Sequence, residues 1–172
     1  MISMKNKNLE ILVIIPGRGG SKGITLKNIQ KVGKLPLIAH TILSARESKL
    51  ATRIIVSTDN EKIANIAKKF GAEIPFLRPK KFSSDKSSTL DVVKHALDYL
   101  KKEENYTPDI ISILLPTSPF RSPGLIDKSI ELLKNKSDHD KTSIVRENNE
   151  TNKINDKNND KINDKINDKI ND

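Results

Sequence analysis

An unbroken apolar run that leads straight into a glycine-rich loop is the feature of this sequence that most constrains its fold. Residues 11–15 read Ile-Leu-Val-Ile-Ile, and glycines at positions 17, 19, 20 and 23 follow Pro16. An apolar, β-branched run of this length is typical of a central parallel strand that is buried on both faces. The sequence therefore predicts a strand over 9–15 whose carboxyl end opens into a loop with an unusually free backbone.

Strand-like and helical patterns alternate after this first strand. Helices are predicted over 36–50, 60–70, 88–102 and 123–133, and further strands over 53–57, 73–76, 109–115 and 142–145. Alternation of this kind indicates βαβ units, in which helices cover both faces of a parallel sheet. We therefore predict an α/β fold with three layers and a mostly parallel, doubly wound sheet.

Length and composition exclude several classes of protein. The chain has 172 residues, 35% of them hydrophobic, which is enough for the core of one domain. It has no cysteine, which excludes disulfides, thiolate metal sites and a cysteine nucleophile. The three histidines lack the spacing of metal ligands. The first ten residues lack the pattern of a signal peptide, and no apolar run is long enough to span a membrane, so we expect a cytoplasmic protein without membrane contact.

The positive charge of the chain is concentrated near the glycine loop. The formal net charge is +9, and from Arg18 to Lys34 there are five basic residues and no acidic one. Such a patch predicts a polyanionic ligand. Aromatic residues make up only 3% of the chain, too few to stack many bases, and no nucleic-acid-binding motif is present. A small phosphorylated ligand therefore fits better than nucleic acid, with a basic RNA-binding module as the alternative.

The loop matches neither of the two commonest phosphate-binding motifs. A P-loop ends in Gly-Lys-Ser/Thr, but here Lys22 precedes Gly23, and a Gly-x-Gly-x-x-Gly motif counted from Gly17 would need glycine at position 22. Ligands of open α/β sheets nevertheless bind outside the carboxyl ends of the strands, where this loop is predicted to lie. Its backbone N–H groups and the cations Arg18, Lys22 and Lys27 are suited to an anion. The alternative is a flexible turn with solvated lysines.

Five segments of the chain resemble one family of enzymes. Residues 15–28 read Ile-Pro-Gly-Arg-Gly-Gly-Ser-Lys-Gly-Ile-Thr-Leu-Lys-Asn, and related segments follow at 57–60 (Ser-Thr-Asp-Asn), 71–79, 84–93 and 114–121 (Leu-Leu-Pro-Thr-Ser-Pro-Phe-Arg). In kind, order and spacing they resemble the CMP-sialic acid synthetases, which are cytidylyltransferases that activate acidic nine-carbon sugars. The resemblance covers about residues 10–135. Four positions depart from the family pattern: Gly17 replaces Ala, Thr25 replaces Pro, Thr89 replaces the more common Ser, and Leu115 replaces a Gln that reads the nucleotide in relatives.

The resemblance implies a Rossmann-like nucleotidyltransferase fold and transfer of CMP from CTP to an acidic nonulosonic sugar, with release of pyrophosphate. By the same resemblance, Arg18 and Lys27 contact the triphosphate as catalytic residues, Asn28 reaches the ribose or base, and Arg78 and Thr89 read cytosine. The remaining expected nucleotide-binding residues are Gly19, Gly20, Ser21, Lys22, Gly23 and Thr117.

Three of these residues have plain structural alternatives. Arg78 alone would be interpreted as a surface ion pair, Thr89 as the first residue of a helix, and Thr117 as part of a turn enforced by two prolines. The implied cofactor is Mg²⁺, since a triphosphate is usually handled as its magnesium complex. The metal ligands are unknown, and Asp59, Asp85 and Asp91 are the acidic residues nearest to the predicted site.

The sequence changes character near its C-terminus. Residues 1–145 are predicted to form the nucleotidyltransferase domain, whereas 146–172 consist mostly of Asn, Lys, Ile and Asp and are predicted to be a disordered tail. The family's chief metal-binding aspartates and its dimerisation region belong to a C-terminal third that we expect to be missing here through truncation. The alternatives are therefore a nucleotide-binding fragment without full activity, or a related enzyme that activates an eight-carbon sugar acid.

Overall fold

A computed structural model describes residues 9–20, 23–84, 87–134 and 143–146. The strands are β1 (Ile11–Pro16), β2 (Lys31–Val32), β3 (Leu35–Pro36), β4 (Arg53–Ser57), β5 (Ile110–Ile113) and β6 (Ser143–Arg146). The helices are α1 (Leu37–Glu47), α2 (Glu61–Lys69), α3 (Thr89–Glu104) and α4 (Leu125–Lys134), and short 3-10 helices cover Lys27–Ile29 and Lys80–Phe82. Among the described residues, no helix combines the length and apolar character that a membrane crossing requires.

The main sheet is parallel and is centred on β1. Its strand order is β4-β1-β5-β6. β1 is hydrogen-bonded on both edges, so that Ile14 pairs with Ile55 of β4 on one side and with Ile113 of β5 on the other. The predicted central strand and the predicted parallel sheet are both confirmed.

The side chains of β1 divide the core into two halves. Ile11, Val13 and Ile15 pack in a buried cluster with residues of α1, α2 and α4. Leu12 and Ile14 point to the opposite face and pack in a second cluster with α3. Because successive side chains of a strand point to opposite faces, one apolar run supplies both clusters. The result is the three-layer α/β architecture that the sequence predicts.

Polar side chains fix where two of the helices begin. Asn60 accepts hydrogen bonds from the backbone N–H groups of Lys62 and Ile63 and so caps α2. Ser88 caps α3 in a capping box, in which its hydroxyl accepts from the N–H of Asp91 and the Asp91 carboxylate accepts from the N–H of Ser88. Each cap satisfies N–H groups that have no partner within the helix. Both capped ends face the carboxyl edge of the sheet.

Two parts of the fold differ from the sequence prediction. Residues 73–76 do not form a strand. Glu73 makes a single bridge to Ile55 of β4, and Leu77, just after this segment, makes another to Thr58, just after β4. The next pairing position after Glu73 is Pro75, which has no N–H with which to continue the ladder. The β2–β3 hairpin was not predicted because its arms are two residues long, too short to show a periodicity. Arg146, the first residue of the predicted tail 146–172, belongs to β6, and residues 147–172 lie outside the described residues.

We expect the central strand to dominate stability. Leu12 is fully buried against α3, so Leu12→Ala should lower the free energy of unfolding by about 2–5 kcal/mol in urea denaturation. Leu132→Ala is the matched control, because this side chain on α4 is 56% exposed and its loss should cost less than about 0.5 kcal/mol. Equal losses in the two variants would contradict the assignment of the core.

Candidate active site

A cleft of about 330 Å³ lies at the carboxyl ends of β1 and β5. This is the position at which open α/β sheets bind their ligands. Its lining includes seven of the residues predicted from the sequence: Arg18, Gly20, Lys27, Asn28, Arg78, Thr89 and Thr117. Gly19 and Gly23 are not part of the lining, and Ser21 and Lys22 lie outside the described residues. Residues far apart in the sequence thus form the walls of one site.

The glycine loop is held by the turn that follows β4. The N–H of Gly17 donates to the carbonyl of Ser57 at 2.9 Å, and the N–H of Gly19 donates to Oδ1 of Asp59 at 2.8 Å. A Cβ atom at Gly19 would lie 2.9 Å from the Cβ of Asn60, closer than real Cβ contacts. The loop can therefore pass this close to the β4 turn only because position 19 lacks a side chain.

Lys27 and Asn28 enter the cleft from the short 3-10 helix Lys27–Ile29. Leu26, just before it, has a φ of +50°, which is uncommon for a residue other than glycine. The Asn28 side chain donates to the carbonyl of Arg18 at 2.9 Å, so it joins this helix to the glycine loop. Gln30 comes directly after the 3-10 helix, and its carbonyl accepts a hydrogen bond of 2.8 Å from the N–H of Leu37, the first residue of α1. This hydrogen bond anchors the cationic wall of the cleft, which is the segment that carries Lys27 and Asn28, to α1.

Arg78 is buried, with 4% of its surface exposed, so the alternative of a surface ion pair is wrong. Its N–H donates to the carbonyl of Thr58 at 2.7 Å, and its Nε donates to the Ser83 hydroxyl at 3.0 Å. Burial lowers the pKa of Arg78 below its ordinary value, while the Asp59 carboxylate opposes that shift and the Arg18 guanidinium adds to it. A guanidinium stays protonated at neutral pH. The cleft therefore holds two neighbouring positive charges that an anionic or strongly polar ligand would stabilise.

Thr89 and Thr117 line the cleft from two different segments, helix α3 and the turn after β5. Thr89 is the first residue of α3, directly after the Ser88 cap. Thr117 is in a turn closed by a hydrogen bond of 3.2 Å from the N–H of Ser118 to the carbonyl of Leu115. The helix-start and turn alternatives thus describe the local structure correctly, and both residues also line the cleft.

Asp59 is the site residue whose role sequence reasoning missed. As a carboxylate near the predicted site it was a candidate for metal binding, yet its Oδ1 holds the N–H of Gly19. Asp91 is likewise occupied by the capping box of α3. In the sequence Asp59 lies two residues after a predicted strand and within the family segment 57–60, but neither signal reveals a partner 40 residues away.

The described residues form no cluster of side chains typical of a fully protein-bound metal ion. No group of three or more His, Asp or Glu side chains with a suitable arrangement occurs in the part of the chain that the structure describes. Asp85, the third acidic candidate, lies outside that part. Magnesium remains an expectation from the resemblance, and no chemical step is derived through it.

Comparison with solved structures defines the class of fold. The chain superposes on the structure of CMP:2-keto-3-deoxy-manno-octonic acid synthetase complexed with CTP with a TM-score of 0.63 and 18% identity, covering 75% of this chain and 49% of that one. The fold is therefore the Rossmann-like nucleotidyltransferase fold.

Sequence comparison then identifies the family. The family described as Cytidylyltransferase matches residues 12–171. The chain is 41% identical over 128 residues to the CMP-N,N'-diacetyllegionaminic acid synthase of Legionella pneumophila, covering 73% of this chain and 54% of that protein. It is 38% identical over 123 residues to the N-acylneuraminate cytidylyltransferase of Escherichia coli, covering 72% and 28%. The chain belongs to the cytidylyltransferase family and spans about half, or less, of these relatives' length.

A substitution in the glycine loop tests how closely the loop approaches the β4 turn. Gly19→Ala should lower the free energy of unfolding by about 1–3 kcal/mol, because the new methyl group overlaps Asn60, the cap of α2. Gly20→Ala is the steric control, since no atom lies within 4 Å of the position that its new methyl group would occupy, and its cost should stay below about 0.5 kcal/mol. Urea denaturation measures both, and a harmless Gly19→Ala would show that the loop is not held here.

Proposed function

We propose that this protein binds CTP in the cleft and transfers CMP to an acidic nonulosonic sugar, releasing pyrophosphate. The observation that carries the proposal is the meeting of Arg18, Lys27 and the buried Arg78 in one cleft at the carboxyl edge of the sheet. The names of two relatives, a CMP-N,N'-diacetyllegionaminic acid synthase and an N-acylneuraminate cytidylyltransferase, support the class of substrate. We place the reaction in the cytoplasm, where CTP is made.

The proposed reaction is a displacement at the α-phosphorus of CTP. The anomeric hydroxyl of the sugar loses its proton to solvent and its oxygen forms a bond to this phosphorus, and the bond from the phosphorus to the oxygen bridging to the β-phosphate breaks. Negative charge then grows on the departing pyrophosphate. Arg18 and Lys27 are suited to stabilise that charge, because both line the cleft and cations placed where negative charge develops lower the energy of the transition state.

Arg78 and Thr89 are suited to recognise the base. Cytosine presents a carbonyl oxygen that accepts a hydrogen bond and an exocyclic amine that donates one. The guanidinium of Arg78 supplies donors in a rigid plane, and the hydroxyl of Thr89 can accept. Burial of Arg78 strengthens its part in this recognition, because a hydrogen bond to a charged group is worth more away from water.

Leu115 marks a departure within this cleft. Its side chain is 43% exposed and lines the cleft at the position where the family pattern has Gln. Leucine forms no hydrogen bond, so one polar contact to the ligand is replaced by an apolar surface. We therefore expect either that this protein binds the nucleotide more weakly than a glutamine-containing relative does, or that it uses a different substrate.

A second candidate function is binding of CTP without turnover. The observation that favours it is the share of its relatives' length that this chain covers, which is 54% for the Legionella pneumophila protein and 28% for the Escherichia coli protein. The two candidates are separated by incubating the full chain with CTP, MgCl₂ and a panel of nonulosonic acids and measuring pyrophosphate. Sugar-dependent release supports the transferase, whereas binding of CTP without release supports the second candidate.

Removing the Arg18 side chain should weaken recognition of the phosphates. In calorimetric titrations we expect Arg18→Ala to weaken binding of both CTP and inorganic tripolyphosphate by about tenfold or more, because a charge-assisted hydrogen bond is lost. Arg46→Ala is the control, since Arg46 is an exposed α1 residue away from the cleft. Unchanged affinity for both ligands in Arg18→Ala would contradict the triphosphate assignment.

Arg78 should act on the base rather than on the phosphates. Arg78→Lys keeps the positive charge but loses the planar set of donors. We expect it to weaken CTP binding by about tenfold while leaving tripolyphosphate binding within about twofold of the original chain. The same titrations measure both values, and a parallel loss for the two ligands would assign Arg78 to the phosphates instead.

A further inference from the structure

Arg121 connects the segment of Leu115 and Thr117, which lines the cleft, to the buried helix α1 behind it. Its Nη1 donates to the hydroxyl of Thr41 at 3.0 Å, and its Nη2 donates to the carbonyl of Leu115 at 2.9 Å. Thr41 is fully buried on α1, 80 residues away in the sequence. A guanidinium is suited to this task, because its donors are held in one plane and bind two acceptors at once.

The Leu115 carbonyl belongs to the first residue of the turn that carries Thr117. It accepts a second hydrogen bond, of 3.2 Å, from the N–H of Ser118, and this bond closes the turn. Leu115, Pro116 and Thr117 all line the cleft. The orientation of this wall of the cleft therefore depends on the carbonyl that Arg121 holds.

Helix α1, to which Arg121 is bonded through Thr41, supports the cationic wall of the cleft. The Leu37 N–H at the start of α1 donates to the carbonyl of Gln30, which ends the 3-10 helix with Lys27 and Asn28. Thr41 follows one turn later on the same helix. Arg121 thus ties the turn of Thr117 to the helix that supports Lys27.

We propose that Arg121 is a positioning residue that sets the distance between the Thr117 turn and the cationic wall, and so determines nucleotide affinity without touching the nucleotide. This inference rests on the proposed function of the cleft. It adds a residue that none of the predicted site residues includes and that is absent from the cleft lining.

Calorimetric titration of CTP and hydrogen exchange at the Ser118 amide test this role. For Arg121→Ala we expect CTP to bind about tenfold more weakly, because two hydrogen bonds of a charged group are lost. The Ser118 amide should exchange faster, while the Gly17 amide, which is bonded to Ser57, should be unchanged. Thr41→Val removes one acceptor and should weaken CTP binding by about threefold. Arg121→Lys should restore part of the affinity, since one donor remains.

Arg46→Ala is the matched control for these variants. Arg46 also donates from α1 to a backbone carbonyl, that of Phe70 at 3.3 Å, but it does not line the cleft. We expect its loss to leave CTP affinity unchanged and to shift the unfolding midpoint less than Arg121→Ala does, because Arg46 makes one exposed hydrogen bond and Arg121 makes two. If Arg121→Ala lowers only the unfolding midpoint, with CTP affinity as in the control, the inference is overturned.

The outcomes separate the inference from the proposed function. If the unmodified chain does not bind CTP, the proposed function fails. Exchange at the Ser118 amide then still decides whether Arg121 holds the turn, and unchanged exchange in Arg121→Ala would overturn the inference. If Arg121→Ala does not fold, Thr41→Val provides the same test, and CTP affinity equal to that of the original chain would count against the positioning role.

Discussion

The short turn after β4 is the part of the structure on which the cleft depends. The carbonyl of Ser57 holds the Gly17 N–H, the carboxylate of Asp59 holds the Gly19 N–H, and the carbonyl of Thr58 holds the N–H of Arg78. Because β4 pairs directly with β1, this turn lies beside the start of the glycine loop. One segment therefore orients both the loop expected to bind phosphates and the arginine expected to read the base.

The electrostatics of the cleft follow from the same arrangement. Arg18 is close enough to Arg78 to disfavour its charge, and the Asp59 carboxylate favours that charge as a partial counter-ion. The carboxylate also uses one oxygen to hold the loop. A site built in this way has a net positive potential, which is the property that attracts a triphosphate.

The sequence predicts those features of the structure that depend on residues close together in the chain, and it does not predict those that depend on tertiary contacts. The buried central strand and the helices were predictable, because an apolar run and an apolar stripe are visible in a window of about ten residues. The burial of Arg78 was not, since Leu-Arg-Pro shows no local sign of it and the Thr58 contact is tertiary. The strand predicted over 73–76 is wrong because Pro75 cannot donate a hydrogen bond to the ladder.

In the candidate site, too, features set by local sequence were predictable and features set by tertiary contacts were not. The glycine loop and its cations were found from local sequence, and the spacing of the family pattern pointed to Arg78, Thr89 and Thr117. The hydrogen bonds made by Asp59 and Arg121 join residues 40 and 80 positions apart, and a single sequence does not reveal such partners. Residues expected to contact a ligand were thus easier to predict than residues that hold them in place.

The most direct test of the central claim is a crystal structure of the full chain with CTP. We predict that the triphosphate lies against Arg18 and Lys27, with the cytosine ring between Arg78 and Thr89 at the carboxyl edge of the sheet. CTP bound elsewhere on the protein, or bound in the cleft with its base at Lys27 and its phosphates at Thr89, would contradict this assignment.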